Sequence, residues 1–95
     1  MADLRRVVLD VLKPHEPPLV EFAERVADVE CVDGSTASLL ERDREVQNVE
    51  VAVEGQALDF DAVEAAIADL GATVHSVDEV AYGGSVVERR RASDD

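Results

Sequence analysis

From Leu4 to Lys13 the chain reads LRRVVLDVLK, a β-rich stretch whose positions alternate between two faces as a strand requires. One face carries Arg5, Val7, Leu9 and Val11; the other carries Arg6, Val8, Asp10 and Leu12. Pro14, Pro17 and Pro18 close this strand, and the Pro17-Pro18 pair suits the first turn of a helix, where a missing N–H costs nothing. The period then changes. Leu19, Phe22, Ala23 and Val26 recur at i, i+3, i+4 and i+7, with Glu21, Glu24, Arg25 and Asp28 opposite, which predicts an amphipathic helix supported by a Glu21–Arg25 pair.

Asp33-Gly34 marks a turn. Residues 36–42 (TASLLER) form a weak strand and residues 48–54 (NVEVAVE) a strong one, joined by a polar hairpin loop from Asp43 to Gln47. Gly55 ends the strong strand, and Asp59 or Asp61 caps a second helix, with Glu64 three residues after Asp61 as in a capping box. Phe60, Val63, Ile67 and Leu70 supply its inner stripe, and Gly71 suits the left-handed position that stops a helix. Ala72 to Tyr82 is the last strand, but Val77 and Val80 differ in parity, so it bends, bulges or ends early.

The resulting β-α-β-β-α-β order predicts an α+β, ferredoxin-like sandwich: a four-stranded antiparallel sheet with both helices on one face. The domain is expected over residues 1–84, with a charged, disordered tail over 85–95. The sheet's second face stays uncovered, and function or assembly belongs there. On it fall Arg6, Val8, Asp10 and Leu12 of the first strand, Ser38, Leu40 and Arg42 of the second, and Glu50, Ala52 and Glu54 of the third. Aliphatic residues mixed with opposite charges point to burial against another subunit.

Charge changes the picture most. Twenty-two acidic residues face nine basic ones, for a formal charge of −13, and Lys13 is the only lysine. Such a surface holds water and cations when salt screens ordinary repulsion, which suggests the cytoplasm of a salt-loving cell. Apolar residues make up 46% of the chain, enough for a folded core. No apolar run nears the roughly 18–20 residues a membrane span needs, and residues 1–13 do not resemble a signal peptide. Cys31 stands alone, which excludes an intramolecular disulfide framework and a cysteine zinc cluster.

Three carboxylates, Asp10, Glu50 and Asp78, sit where strands three and four flank strand one, and oxygen ligands of this kind suit calcium or magnesium. No loop of calcium-binding spacing accompanies them. Histidine ordinarily titrates between pH 5 and 8, so His75 with Asp78 or Glu79 is the acid–base alternative. His15 and Glu16, in the proline-rich loop, are ligand-binding candidates. Ser76 and His75 are neighbours on one strand and point to opposite faces, so they do not form a nucleophile–base pair. The Arg89–Arg91 cluster is read as part of a solubilising tail.

Busy relatives of this fold are excluded by what is missing. RNA-recognition modules stack bases on aromatic residues of the two central strands, which here have none, and the charge opposes phosphate. Copper chaperones need C-x-x-C after strand one, where this chain has Lys13-Pro14-His15-Glu16. Prolines also occupy the place of a glycine-bearing phosphate loop.

Four strings carry a family likeness: Leu9 to Pro17 (LDVLKPHEP), Val32-Asp33-Gly34, Val53-Glu54-Gly55 and His75 to Val80 (HSVDEV). Through them, residues 4–84 resemble the archaeal domain of unknown function 211. The resemblance implies a ferredoxin-like fold and ring-like homo-oligomers, brings calcium in as a candidate ligand, and implies no enzymatic activity. Ser35 and Arg42 stand where apolar residues are expected and Cys31 where glycine is; two of these departures touch strand two, an edge strand and a natural subunit contact. The expectation is a non-enzymatic homo-oligomer that binds a divalent cation or small ligand at subunit interfaces. A small acid–base enzyme and a structural or partner-binding subunit are the alternatives.

The acidic surface has a measurable consequence. Below about 0.5 M salt, carboxylate repulsion is no longer screened and the melting temperature falls; a value independent of salt refutes this reading of the charge.

Overall fold

The computed structural model describes residues 2–87, in which the chain runs β1 (Leu4–Pro14), α1 (Leu19–Ala27), β2 (Gly34–Arg42), β3 (Val46–Glu54), α2 (Phe60–Asp69) and β4 (Thr73–Tyr82). The strands form one sheet in the order β2-β3-β1-β4, antiparallel throughout. The Arg89–Arg91 cluster lies outside the described residues. No helix among those described is long and apolar enough to cross a membrane.

Alternation on the two central strands builds the core. Val7, Leu9 and Val11 of β1 lie opposite Val53, Val51 and Val49 of β3, and none of the six is more than 1% exposed. Phe22 and Val26 of α1 and Val63 and Ile67 of α2 close over the same cluster. Each such side chain contributes about 1.5–3 kcal/mol relative to an exposed position.

The parity conflict in β4 is resolved by two bulges. The pairing with β1 steps from Val8–Glu79 to Leu9–Val77, and from Asp10–Ser76 to Val11–Val74, leaving Asp78 and His75 as the extra residues. Each extra residue flips the alternation, so Val74, Val77 and Val80 all fall on the helix side, opposite Val11, Leu9 and Val7.

Several local expectations shift. α1 begins at Leu19, so Pro17 and Pro18 precede its first turn; Pro18 is the N-cap, with extended backbone, and its carbonyl accepts from Phe22 N at 2.9 Å. The Glu21–Arg25 pair forms at 3.6 Å. The polar hairpin loop shrinks to residues 43–45, since β3 already starts at Val46. β2 is bulged at Leu40: the register jumps from Leu39–Val49 to Glu41–Asn48, which moves Arg42 off the open face and brings Glu41 towards it. Asp59 caps α2, accepting from Ala62 N at 3.2 Å, whereas Asp61 lies inside the first turn, so the Asp61–Glu64 box does not form.

The end of α2 does follow expectation. Gly71 has φ +84°, its N–H donates to Ala68 O at 2.9 Å, and Ala72 N donates to Ile67 O at 3.2 Å; this paired arrangement satisfies the last carbonyls of the helix. Ser35, polar where an apolar residue was expected, faces the helices and donates to Ala23 O at 2.7 Å, tying α1 to the edge strand.

Gly55 is required by close approach. A Cβ there would lie 2.3 Å from the Cys31 carbonyl oxygen and 2.8 Å from Leu58, whereas one at Gly34 would meet nothing within 4 Å. Gly55→Ala is therefore expected to destabilise the fold by about 2–3 kcal/mol. Gly34→Ala should leave the urea midpoint nearly unchanged; equal effects of the two changes would refute the steric account.

Candidate functional site

The uncovered face is organised by charge. Arg6 sits at its upper end, where its guanidinium binds Glu54 on β3 and, at 3.0 Å, Glu79 on β4, bridging three strands. The hydrogen bond that Arg6 donates to the Glu54 carboxylate is the main cause that raises the Arg6 pKa, with partial burial opposing it. The flat of the sheet between these groups is not solvated aliphatic surface: Val8 is only 7% exposed.

Lower on the same face, Asp10 lies opposite Glu50 on one side and Ser76 on the other. Asp10 Oδ1 accepts from Asn48 Nδ2 at 2.7 Å, and Asp78 Oδ1 accepts from Ser76 Oγ at 2.7 Å. The three predicted carboxylates thus follow one another across β3, β1 and the β4 edge. Among the described residues, however, no three His, Cys, Asp or Glu side chains are grouped closely enough to hold a metal ion. One chain supplies a row of oxygens rather than a coordination shell.

The acid–base candidates are engaged elsewhere. His75 is exposed at a bulge, Asp78 is bonded to Ser76, and Glu79 to Arg6. His15 and Glu16 lie at the far end of β1. There His15 Nε2 donates to the Asp43 carbonyl at 2.9 Å, fastening the proline-rich loop to the β2–β3 hairpin, while Glu16 is exposed.

Beneath that fastening lies the residue that sequence reasoning passed over. Lys13 is fully buried. Its Nζ donates to Pro14 O at 2.9 Å and to Gln47 Oε1 at 3.1 Å, and it lies 5.8 Å from the centre of the Phe22 ring. Gln47, expected in a loop, is itself 6% exposed. The clue was parity: Lys13 shares its face with Val7, Leu9 and Val11. Burial lowers its pKa, and the charge of nearby Glu16 opposes that shift. The arrangement joins β1, β3 and α1 through one ammonium group. Cys31, by contrast, is half-buried, and its Sγ accepts from Asp59 N at 3.3 Å beside the α2 cap.

Element order, strand order and helix placement define a ferredoxin-like α+β sandwich. Within that class the chain belongs to the DUF211 family, described as uncharacterized ArCR, whose profile matches residues 5–95. It is 42% identical over 95 residues to an uncharacterized protein of the archaeon Methanocaldococcus jannaschii, an alignment covering 100% of this chain and 98% of that one. The match runs past residue 84 and takes in the charged C-terminal residues.

Lys13 makes a signed prediction. Its folded-state pKa is lowered, so the protonated form is penalised on folding, and the penalty is in full force below the folded pKa. It disappears as pH rises towards the ordinary lysine value of 10.5. Stability of the native chain minus that of Lys13→Met, both measured by urea unfolding, should therefore increase with pH on the alkaline side. A flat or falling difference contradicts a desolvated amine.

Proposed function

We propose that this chain is a non-enzymatic building block of a homo-oligomer, working in a salt-rich archaeal cytoplasm, that binds a divalent cation or small ligand where subunits meet. One observation carries the reading: both outer strands of the sheet expose aliphatic side chains. Leu39 and Leu40 on β2 are 43% and 58% exposed, and Val77 and Val80 on β4 are 48% and 52% exposed. A 95-residue chain with a modest core gains from covering such edges.

The ligand half of the proposal rests on the row Asp10, Glu50 and Asp78. Calcium takes six to eight oxygen ligands and magnesium demands a near-octahedral set, whereas two of this row's six carboxylate oxygens already accept hydrogen bonds, from Asn48 and Ser76. Oxygens from a second copy would complete the shell, and Asp78, on the edge strand, is the member best placed to share. His15 and Glu16 are the second candidate pair, for a small polar ligand at the hairpin end. Catalysis has less support, because Asp78 and Glu79 are bonded away from His75.

Sedimentation at high salt should give a particle of several chains, and Val77→Asp should reduce it to single chains without loss of helix content by circular dichroism. Calcium or magnesium titrated into chelator-treated protein should release or absorb heat in the assembled form only. A native protein that sediments as one chain at every concentration overturns the assembly reading, and silent titrations of an assembled particle overturn the cation.

A further inference from the structure

We propose that the arginine run Arg89–Arg91 docks on its own chain, in the acidic, aromatic-lined cavity beside the end of β4, with Phe60 and Tyr82 meeting guanidinium faces and Asp3, Asp59 and Asp61 their charge. This contact lies within one chain and is independent of the assembly reading.

The cavity, of about 370 Å³, opens between the start of β1, the start of α2 and the end of β4. Phe60 and Tyr82, two of the chain's three aromatic residues, line it, and Tyr82 is 59% exposed, so its ring has surface left to cover. Three carboxylates, Asp3, Asp59 and Asp61, also line it, and no basic residue does. They are not grouped closely enough to hold a metal ion. What suits them is a longer cation that meets them one at a time and offers flat faces to the rings. Consecutive guanidinium groups do both, since they pair with carboxylates and stack on aromatic faces.

Charge selects this segment as the occupant. Residues 1–87 hold nineteen acidic and six basic residues, so they carry the whole net charge of −13. Of those six, Arg5 and Arg6 are at this end of the sheet and already engaged, Arg5 with backbone carbonyls and Arg6 with Glu54 and Glu79. Arg25 is paired with Glu21, while Lys13, Arg42 and Arg44 lie at the opposite end, where Pro14 pairs with Val46. The remaining three basic residues are Arg89–Arg91. Glu88 precedes that run and Asp94 and Asp95 follow it, so residues 88–95 are neutral overall, yet three adjacent positive charges are set against a strongly negative body.

The tether selects it as well, because the chain departs from β4 beside the cavity. Gly83, with φ +117°, donates its N–H at 3.0 Å to the carbonyl of Asp3, itself a cavity residue. Arg5 Nη1 donates to Gly84 O at 2.8 Å and Arg5 Nε to Gly55 O at 3.1 Å, which fixes the point of departure. Arg89 comes seven residues after Tyr82, a span of up to about 25 Å, so the cavity is within reach. A tether this short holds the run at an effective concentration on the order of millimolar.

Tyr82 reports on the contact by itself, since the chain has one tyrosine and no tryptophan. Its fluorescence is quenched with uncharged acrylamide at the lowest salt at which circular dichroism shows the fold intact. Arg89→Gln, Arg90→Gln and Arg91→Gln together should raise the quenching constant about twofold or more, as for a ring covered at least half of the time. Asp3→Asn with Asp61→Asn should do the same, and added salt should erase both differences. Asp3→Arg and Asp61→Arg combined with Glu at all three arginine positions should restore the native value. Equal quenching of the native chain and the triple variant, or no recovery on charge reversal, overturns the clasp. Native protection that falls on dilution, or a triple variant that sediments differently, means that the run reaches another copy and overturns the own-chain contact. A native protein that sediments as one chain with Tyr82 protected removes the assembly reading and leaves the clasp standing.

Discussion

The constraint on which the molecule depends is that β1 is paired on both sides and buried on one face. Because Val7, Leu9 and Val11 meet Val53, Val51 and Val49 with almost no exposure, slipping β1 by one residue against β3 would send that whole apolar set to water. The register of the sheet is therefore fixed at its centre. β4 must adapt to it, and does so by spending two residues, His75 and Asp78, on bulges. Everything at the periphery inherits this: where the valines of β4 point, which acids share the open face with Asp10, and which edges are left unpaired.

Charge is distributed by the same logic. Exposed pairs such as Glu21–Arg25 contribute at most about 1 kcal/mol, so they decorate the fold rather than determine it. Arg6 differs in geometry, since one guanidinium spans β3, β1 and β4 on a face that lacks covering helices. Lys13 differs in kind. An ammonium under the helices is held by neutral oxygens, with Glu16 acting only at a distance. Placing a cation there carries a desolvation penalty that an apolar residue would avoid, yet it joins β1, β3 and α1 at one end of the barrel-less sandwich.

Most of the fold was legible because its signals are periodic. The valine alternation of β3, the 3.6-residue stripe of α1 and the glycine stop at Gly71 each depend on neighbours in sequence, and each is where expected. What escaped was non-local. Nothing near Leu40 signals that β2 gains a residue there and turns Arg42 away from the open face, because the bulge is defined by β3. Asp59 rather than Asp61 is the cap because the helix begins at Phe60, which leaves Asp59 just outside it to accept from Ala62 N and puts Asp61 inside the first turn. For the candidate site, the succession Asp10, Glu50 and Asp78 was readable from strand order, but their existing partners Asn48 and Ser76 were not. Lys13 was hidden by habit: a lysine between a strand and a proline reads as solvent-facing unless its parity is followed to the end.

Bulges also say how the edges can be used. A flat, unbulged edge strand invites a neighbour to extend the sheet through backbone hydrogen bonds, whereas an irregular one blunts that pairing. β4 is interrupted at His75 and Asp78 and β2 at Leu40, so neither edge offers a long uninterrupted row of donors and acceptors. Continuous sheet extension between copies is therefore disfavoured from both sides. Aliphatic side chains remain accessible beside these bulges, Val77 and Val80 on the helix side of β4 and Leu40 on β2. An assembly of the kind proposed would have to be held by side-chain contacts rather than by sheet extension, and such contacts are selective for shape and charge in a way that backbone pairing is not.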